Sequence, residues 1–141
     1  MAMNSRLSVA THILSFLILA QRKQDGPVTS DRIAHSVKTN PVVIRRLLGS
    51  LHAGGLVRSH RGANAGWTLA RNPDAITLLD VYEAVEKGPL FGLHASPPNP
   101  RCPVGRGIRP ALRKVYGALE EQIGRQLART TVEHVLDDAL G

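Results

Sequence analysis

The chain has 141 residues, enough for one domain with a helical extension and for a hydrophobic core that needs no staples. Hydrophobic residues make up 43% and charged residues 21%, and the single cysteine excludes a disulfide framework or a metal site built from several thiolates of one chain. The net charge of +7 is uneven: residues 1–73 hold ten bases and two acids (+8), residues 74–141 eight bases and nine acids (−1), so one half is built to meet a polyanion.

The first element is the most apolar. Ile13 to Ala20 reads ILSFLILA, but eight residues fall short of the roughly 20 needed to cross a bilayer. Gln21-Arg22-Lys23-Gln24 follows with no small-residue cleavage site, so the stretch is a buried helix and not a signal peptide, and no membrane partner is expected. Retention in a reducing cytoplasm agrees with the lone cysteine. Leu7, Ala10, Leu14, Leu17 and Ile18 recur at helical spacing and predict a helix over residues 5–23, stopped by Asp25-Gly26-Pro27. Thr29 or Ser30 caps the next helix, with Asp31 in its first turn and Ile33, Ala34 and Val37 facing inward. Asn40 as N-cap and Pro41 at the first helical position open a third helix, which turns Ile44, Leu47, Leu48 and Leu51 inward and ends at Gly54-Gly55. Two short helices joined by a tight turn form a helix-turn-helix.

Leu56 to His60 is a strand candidate, Arg61-Gly62-Ala63-Asn64-Ala65-Gly66 a turn, and Trp67 to Ala70 a returning strand broken by Asn72-Pro73-Asp74. A helix-turn-helix followed directly by a β-hairpin is a winged-helix arrangement. Thr77 then starts a helix through Leu78, Val81, Tyr82 and Val85, ending at Gly88-Pro89. Five of the nine prolines lie between Pro89 and Pro103, which marks an irregular connector. Beyond it Ile108, Leu112, Val115, Leu119, Ile123 and Leu127 recur every three or four residues, a stripe of roughly 30 Å of helix. Such a stripe folds back on its own domain or packs on a second copy. Thr130-x-x-Glu133 is a capping-box pattern for a last helix with Val132, Val135, Leu136 and Leu140 on its apolar face. The expected class is mainly α with a small β-hairpin wing: a winged-helix DNA-binding domain over 1–87, a connector over 88–107, and a dimerisation helix with a C-terminal helix over 108–141.

Once the inward stripe of the third helix is assigned, Val42, Val43, Arg45, Arg46, Gly49, Ser50 and His52 are left over. An arginine there forks onto guanine O6 and N7 or holds a phosphate, and the valines can touch thymine methyls. Arg61, flanked by Arg58 and His60 at the hairpin tip, can enter a minor groove. With Thr29, Ser30 and Asn40 at the helix starts, these residues are the candidate contacts to double-stranded operator DNA. Trp67 is expected beneath the wing, since its strand returns to the body, and the chain's five aromatic residues are few for stacking single-stranded bases. The Gly62 and Gly66 pair links two strands and so makes no dinucleotide site. The six histidines show no paired ligand spacing, and no Ser/His/Asp set, paired carboxylates or phosphate loop stands out. No enzyme activity, resident metal or cofactor is expected.

Arg-Gly-Ala-Asn-Ala-Gly-Trp-Thr-Leu-Ala-Arg (61–71) followed by Ile-Thr-Leu-Leu-Asp-Val-Tyr-Glu-Ala-Val-Glu (76–86) resembles the signature of the Rrf-two family of bacterial transcription regulators. Asn40 to Arg46 and Asn99 to Gly105 further resemble a cluster-free branch of it. The resemblance implies a homodimeric winged-helix DNA-binding protein, paired through the long helix from Ile108, with Arg61 in a minor groove. Cluster-binding members carry three cysteines in the connector; only Cys102 stands here, which argues against an iron–sulfur cluster. Arg45 replaces an acidic residue that tunes base choice in the cluster regulator, so the operator does not carry over. Cys102 lies between Arg101 and Pro103, near Arg106 and Arg109, a setting that favours the reactive thiolate. It is then a sensor for an oxidant or small-molecule effector, or else a small buried residue without a signalling role. The expected function is a dimeric, sequence-specific repressor; the alternative is a protein–protein adaptor that keeps a winged-helix shell without reading DNA.

Overall fold

Helix α1 (Arg6–Arg22) turns Ala10, Ile13, Leu14, Leu17 and Ile18 into the core in a computed structural model that describes residues 5–141. It is the packing centre, in contact with helices α2, α3, α4 and α6 and strand β2, whose ranges follow. α2 (Ser30–Val37) is capped by Thr29, whose hydroxyl oxygen accepts from the Arg32 amide at 3.3 Å; Ser30 is the first helical residue and not the cap. Lys38 at φ +58° ends α2 in the left-handed region. Asn40 Oδ1 accepts from the Val42 amide at 2.8 Å and opens α3 (Pro41–Ala53), with Ile44, Leu47, Leu48 and Leu51 buried as the spacing predicts.

The hairpin pairs β1 (Val57–His60) with β2 (Gly66–Leu69) antiparallel, in the register Val57 to Leu69 and His60 to Gly66. Val28 joins its edge: the Val28 amide donates to Trp67 O at 3.0 Å and the Trp67 amide to Val28 O at 2.8 Å. Gly66 makes this approach feasible. Its φ is +148°, and a Cβ there would lie 2.8 Å from the Val28 carbonyl carbon and oxygen. Trp67 packs against the core, as expected, with its ring edge-on to His52 at 6.2 Å.

A 3-10 turn (Pro73–Ala75) leads into α4 (Leu78–Val85), which opens with a full capping box between Thr77 and Asp80. The last helix departs from expectation. α6 (Val132–Leu140) is capped by Thr131, which accepts from the His134 amide at 3.1 Å, and not by Thr130. Tertiary pairing decides this: the Leu78 amide donates to Thr130 O at 2.8 Å and the Val132 amide to Ile76 O at 3.0 Å, holding 130–132 extended beside 76–78. α6 buries Val132 and Leu136 against α1, while Leu140 is exposed.

The chain divides into two compact units, one taking the described residues up to Lys87 together with Leu127–Gly141, the other Gly88–Gln126. The C-terminal helix thus joins the winged-helix unit, because its apolar face has a partner on α1. The long helix α5 (Pro103–Ala128), all but its last two residues in the second unit, starts at Pro103 and not at 108, so residues 103–107 are helical and only 88–102 irregular. Pro103 suits a first helical position, and the Cys102 carbonyl accepts from the Arg106 amide at 2.9 Å as the first helical bond. The irregular stretch is tied down: Phe91 stacks on Tyr116 at 5.1 Å, and the Leu90 amide donates to Glu120 Oε1 at 3.1 Å.

Candidate nucleic-acid interface

The outer face of α3 is as apolar and cationic as the sequence spacing requires. Val42 and Val43 are 49% and 38% exposed at its N-terminal end, followed by exposed Arg45 and Arg46. An exposed apolar pair at the positive end of a helix suits a groove that offers methyl groups between phosphates. Thr29 and Asn40 already use their side-chain oxygens as caps, which fixes where α2 and α3 begin. Ser50 is half-buried and its hydroxyl donates to Arg46 O at 3.4 Å, so it is turned onto its own helix.

On the wing, Arg58 is exposed opposite Thr68, and Arg61 follows β1 at the tip, just before Gly62 at φ +91°. His60 Nε2 lies 2.8 Å from Thr68 Oγ1, a cross-strand contact that stiffens the wing just below Arg61. Thr68 is the residue of this interface that the sequence does not single out; its signal is the alternation that places it two residues beyond the Gly66 partner of His60.

Ion pairing sorts the eight arginines of residues 1–73 into two groups. Arg6 pairs with Glu86 at 3.0 Å, Arg22 with Asp137 at 2.8 Å and Glu133 at 3.3 Å, Arg32 with Asp25 at 3.9 Å, and Arg71 with Asp80 at 3.2 Å. Hydrogen bonding to Asp137 raises the Arg22 pKa. Among the described residues Arg45, Arg46, Arg58 and Arg61 have no such carboxylate. Exposed pairs add little stability, but they cancel charge where they form, so four of the five arginines of this unit without a carboxylate partner among the described residues lie on α3 and the wing, Arg129 being the fifth.

Elsewhere, α5 has no buried residue over 26 positions. Val115 and Leu119 are 54% and 38% exposed, and Ile108, Leu112, Ile123 and Leu127 are half-buried. Cys102 is exposed, contrary to the reading of it as a small buried residue, because it precedes the first turn of α5 on the outside of the chain. Its amide donates to Asn99 O at 3.2 Å.

The chain matches the Rrf2 family, described as iron-dependent transcriptional regulators, over residues 3–138. YwnA of Bacillus subtilis (strain 168), assigned to the HTH-type transcriptional regulators, is 39% identical over 135 residues, covering 95% of this chain and 96% of that one. The HTH-type transcriptional regulator CymR of the same organism is 31% identical over 115 residues, 82% of this chain and 76% of its own. In fold, the structure of T. potens IscR superimposes with a TM-score of 0.70 at 24% identity, over 99% of this chain and 88% of that one. The chain has one cysteine, and no group of three or more His, Cys, Asp or Glu able to hold a metal exists among the described residues. No helix among them is long and apolar enough to cross a membrane. A winged-helix unit with uncancelled arginines on its third helix and wing, matched along almost the whole chain, makes this protein a member of the Rrf2 family of DNA-binding transcriptional regulators.

Proposed function

We propose that the protein is a homodimeric repressor that reads a pseudo-palindromic operator in double-stranded DNA and works without an iron–sulfur cluster. The observation that carries the reading is the sorting of the arginines of residues 1–73: Arg6, Arg22, Arg32 and Arg71 are neutralised by carboxylates, whereas Arg45, Arg46, Arg58 and Arg61 have none among the described residues. Arg45 and Arg46 lie in the major groove with Val42 and Val43 against thymine methyls, and Arg61 lies in the flanking minor groove. The apolar stripe of α5, unburied in the single chain, supports pairing with the same stripe of a second copy. A dyad then sets two recognition helices about 34–36 Å apart, one turn of DNA, or a multiple of that. Occupying such a site over a promoter excludes transcription.

Exposed Cys102 at the head of α5 is the place for control. Its oxidation to sulfenic acid or a mixed disulfide adds bulk and polarity where the irregular stretch meets the helix that pairs the two copies.

Selection of bound genomic fragments, followed by affinity measurements over a salt series, tests the DNA reading. Arg45→Ala is expected to relax preference at one major-groove position by about 1–3 kcal/mol, and Arg61→Ala to weaken binding chiefly at A·T-rich flanks. Equal losses for both, visible only in the salt slope, assign them to phosphates and remove the sequence-reading role. No fragment enriched at low salt leaves the adaptor reading.

A further inference from the structure

The N-terminal half of α5 carries a feature that DNA reading does not absorb. Three prolines of the irregular stretch, Pro97, Pro98 and Pro100, face Arg106, Arg109 and Arg113 across an open cleft of about 290 Å³. That volume lies at the lower end of small-molecule sites, about 300 Å³. The cleft is held open by a close approach: a side chain on Gly105 would strike the Asn99 carbonyl oxygen. Its proline wall is rigid and offers no backbone N–H, so the arginines supply its donors.

No acidic residue lines the cleft, and none of its three arginines has a carboxylate partner among the described residues. Arg109 is half-buried, and its Nε–H is shut off from solvent without any acceptor. An ionised donor left unpaired in a shielded position is costly and rare in folded proteins, and an oxygen in the cleft relieves it once the Arg109 guanidinium turns toward the opening. Three guanidiniums around one cavity also repel each other until an anion enters. At about 3.6 residues per turn, Arg106, Arg109 and Arg113 occupy one narrow face of α5, roughly a third of a turn from Ile108, Leu112, Val115 and Leu119. Pairing two copies through the apolar stripe therefore leaves the arginine face open.

We infer that this cleft is a binding site for a small multivalent oxyanion, a phosphate- or carboxylate-bearing metabolite, held by the guanidinium forks of Arg106, Arg109 and Arg113. A planar fork matches two oxygens of either group, which a lysine cannot do. The sequence carried a signal for it in the arginine spacing of three and four along one helix face. The site stands on the cleft itself and not on the operator reading, so either can fail without the other.

Calorimetric titration of the full chain with inorganic phosphate, and separately with citrate, tests it and distinguishes the two sources of oxygen. Saturable binding of one or the other, one per chain, is expected at millimolar concentration. Arg109→Gln and Arg113→Gln should each weaken it at least tenfold, Arg109→Lys should recover only part, and Arg61→Ala should change nothing. Should Arg109→Gln fold poorly, the exposed Arg113→Gln decides alone. Absence of saturable binding by both anions overturns the inference, as does unchanged affinity in Arg113→Gln. It is overturned equally if Arg113→Gln lowers the salt slope of DNA binding, which assigns these arginines to DNA phosphates.

Discussion

Replacing Gly66 by alanine should unseat the wing, while the same change at Gly62, only four residues away, should incur backbone strain alone. Both glycines have positive φ, +91° at Gly62 and +148° at Gly66, so both substitutions incur backbone strain of about 1 kcal/mol or somewhat more. The surroundings separate them. A Cβ on Gly62 meets nothing within 4 Å, whereas one on Gly66 falls 2.8 Å from Val28 C and O and 2.9 Å from Val28 N. All three contacts are backbone, so no side chain can swing aside; Val28 and β2 must part. Their separation breaks the two hydrogen bonds between Val28 and Trp67, each worth about 1 kcal/mol, and loosens a buried Val28. The sum is about 3–4 kcal/mol for Gly66→Ala against about 1 kcal/mol for Gly62→Ala. For a unit of roughly 100 residues this means a fall in melting temperature of about 12–16 °C against about 4 °C. Thermal unfolding followed by circular dichroism, with Trp67 fluorescence reporting the wing, measures both. A Gly66→Ala variant that melts no lower than Gly62→Ala would show that Val28 does not hold the wing, and the reasoning would fail.

Two further outcomes are expected. Leu119→Glu places a charge in the exposed apolar stripe of α5 and should convert a dimer to a monomer in sedimentation, with helix content unchanged and operator affinity lost; a variant that still sediments as wild type places the pairing surface elsewhere. Cys102→Ser should bind operator like the reduced wild type yet keep that affinity under peroxide, where the wild type loses at least tenfold; an identical response of the two proteins removes Cys102 as the switch.

Much of the interface could be read along the chain because its signals are local. Asn40 and Pro41 begin α3 through interactions within a single turn, and the inward stripe of Ile44, Leu47, Leu48 and Leu51 leaves Val42, Val43, Arg45 and Arg46 outside by helical geometry alone. The start of α5 is hidden in the sequence, since prolines and glycines between 88 and 110 have the composition of a connector even where Pro103 already begins a helix. Thr130 and Thr131 are two adjacent threonines with equal capping chemistry, and only the pairing of 130–132 with 76–78 chooses between them.

The sequence by itself determined the winged-helix order, the recognition helix with its exposed face, the charge asymmetry and the lone cysteine, because caps, periodicity and counts need no distant partner. Tertiary structure alone decided which charges are free. Glu86 reaches Arg6 across 80 positions and Glu133 reaches Arg22 across 111, so of the eight arginines in residues 1–73 the four left without a carboxylate among the described residues are those of α3 and the wing. It also decided that Gly66 is held by Val28 and that three arginines of α5 face a wall of prolines. In each case the cause is the same: the partner that gives the residue its role lies far along the chain, or on another element, and packing alone brings the two together.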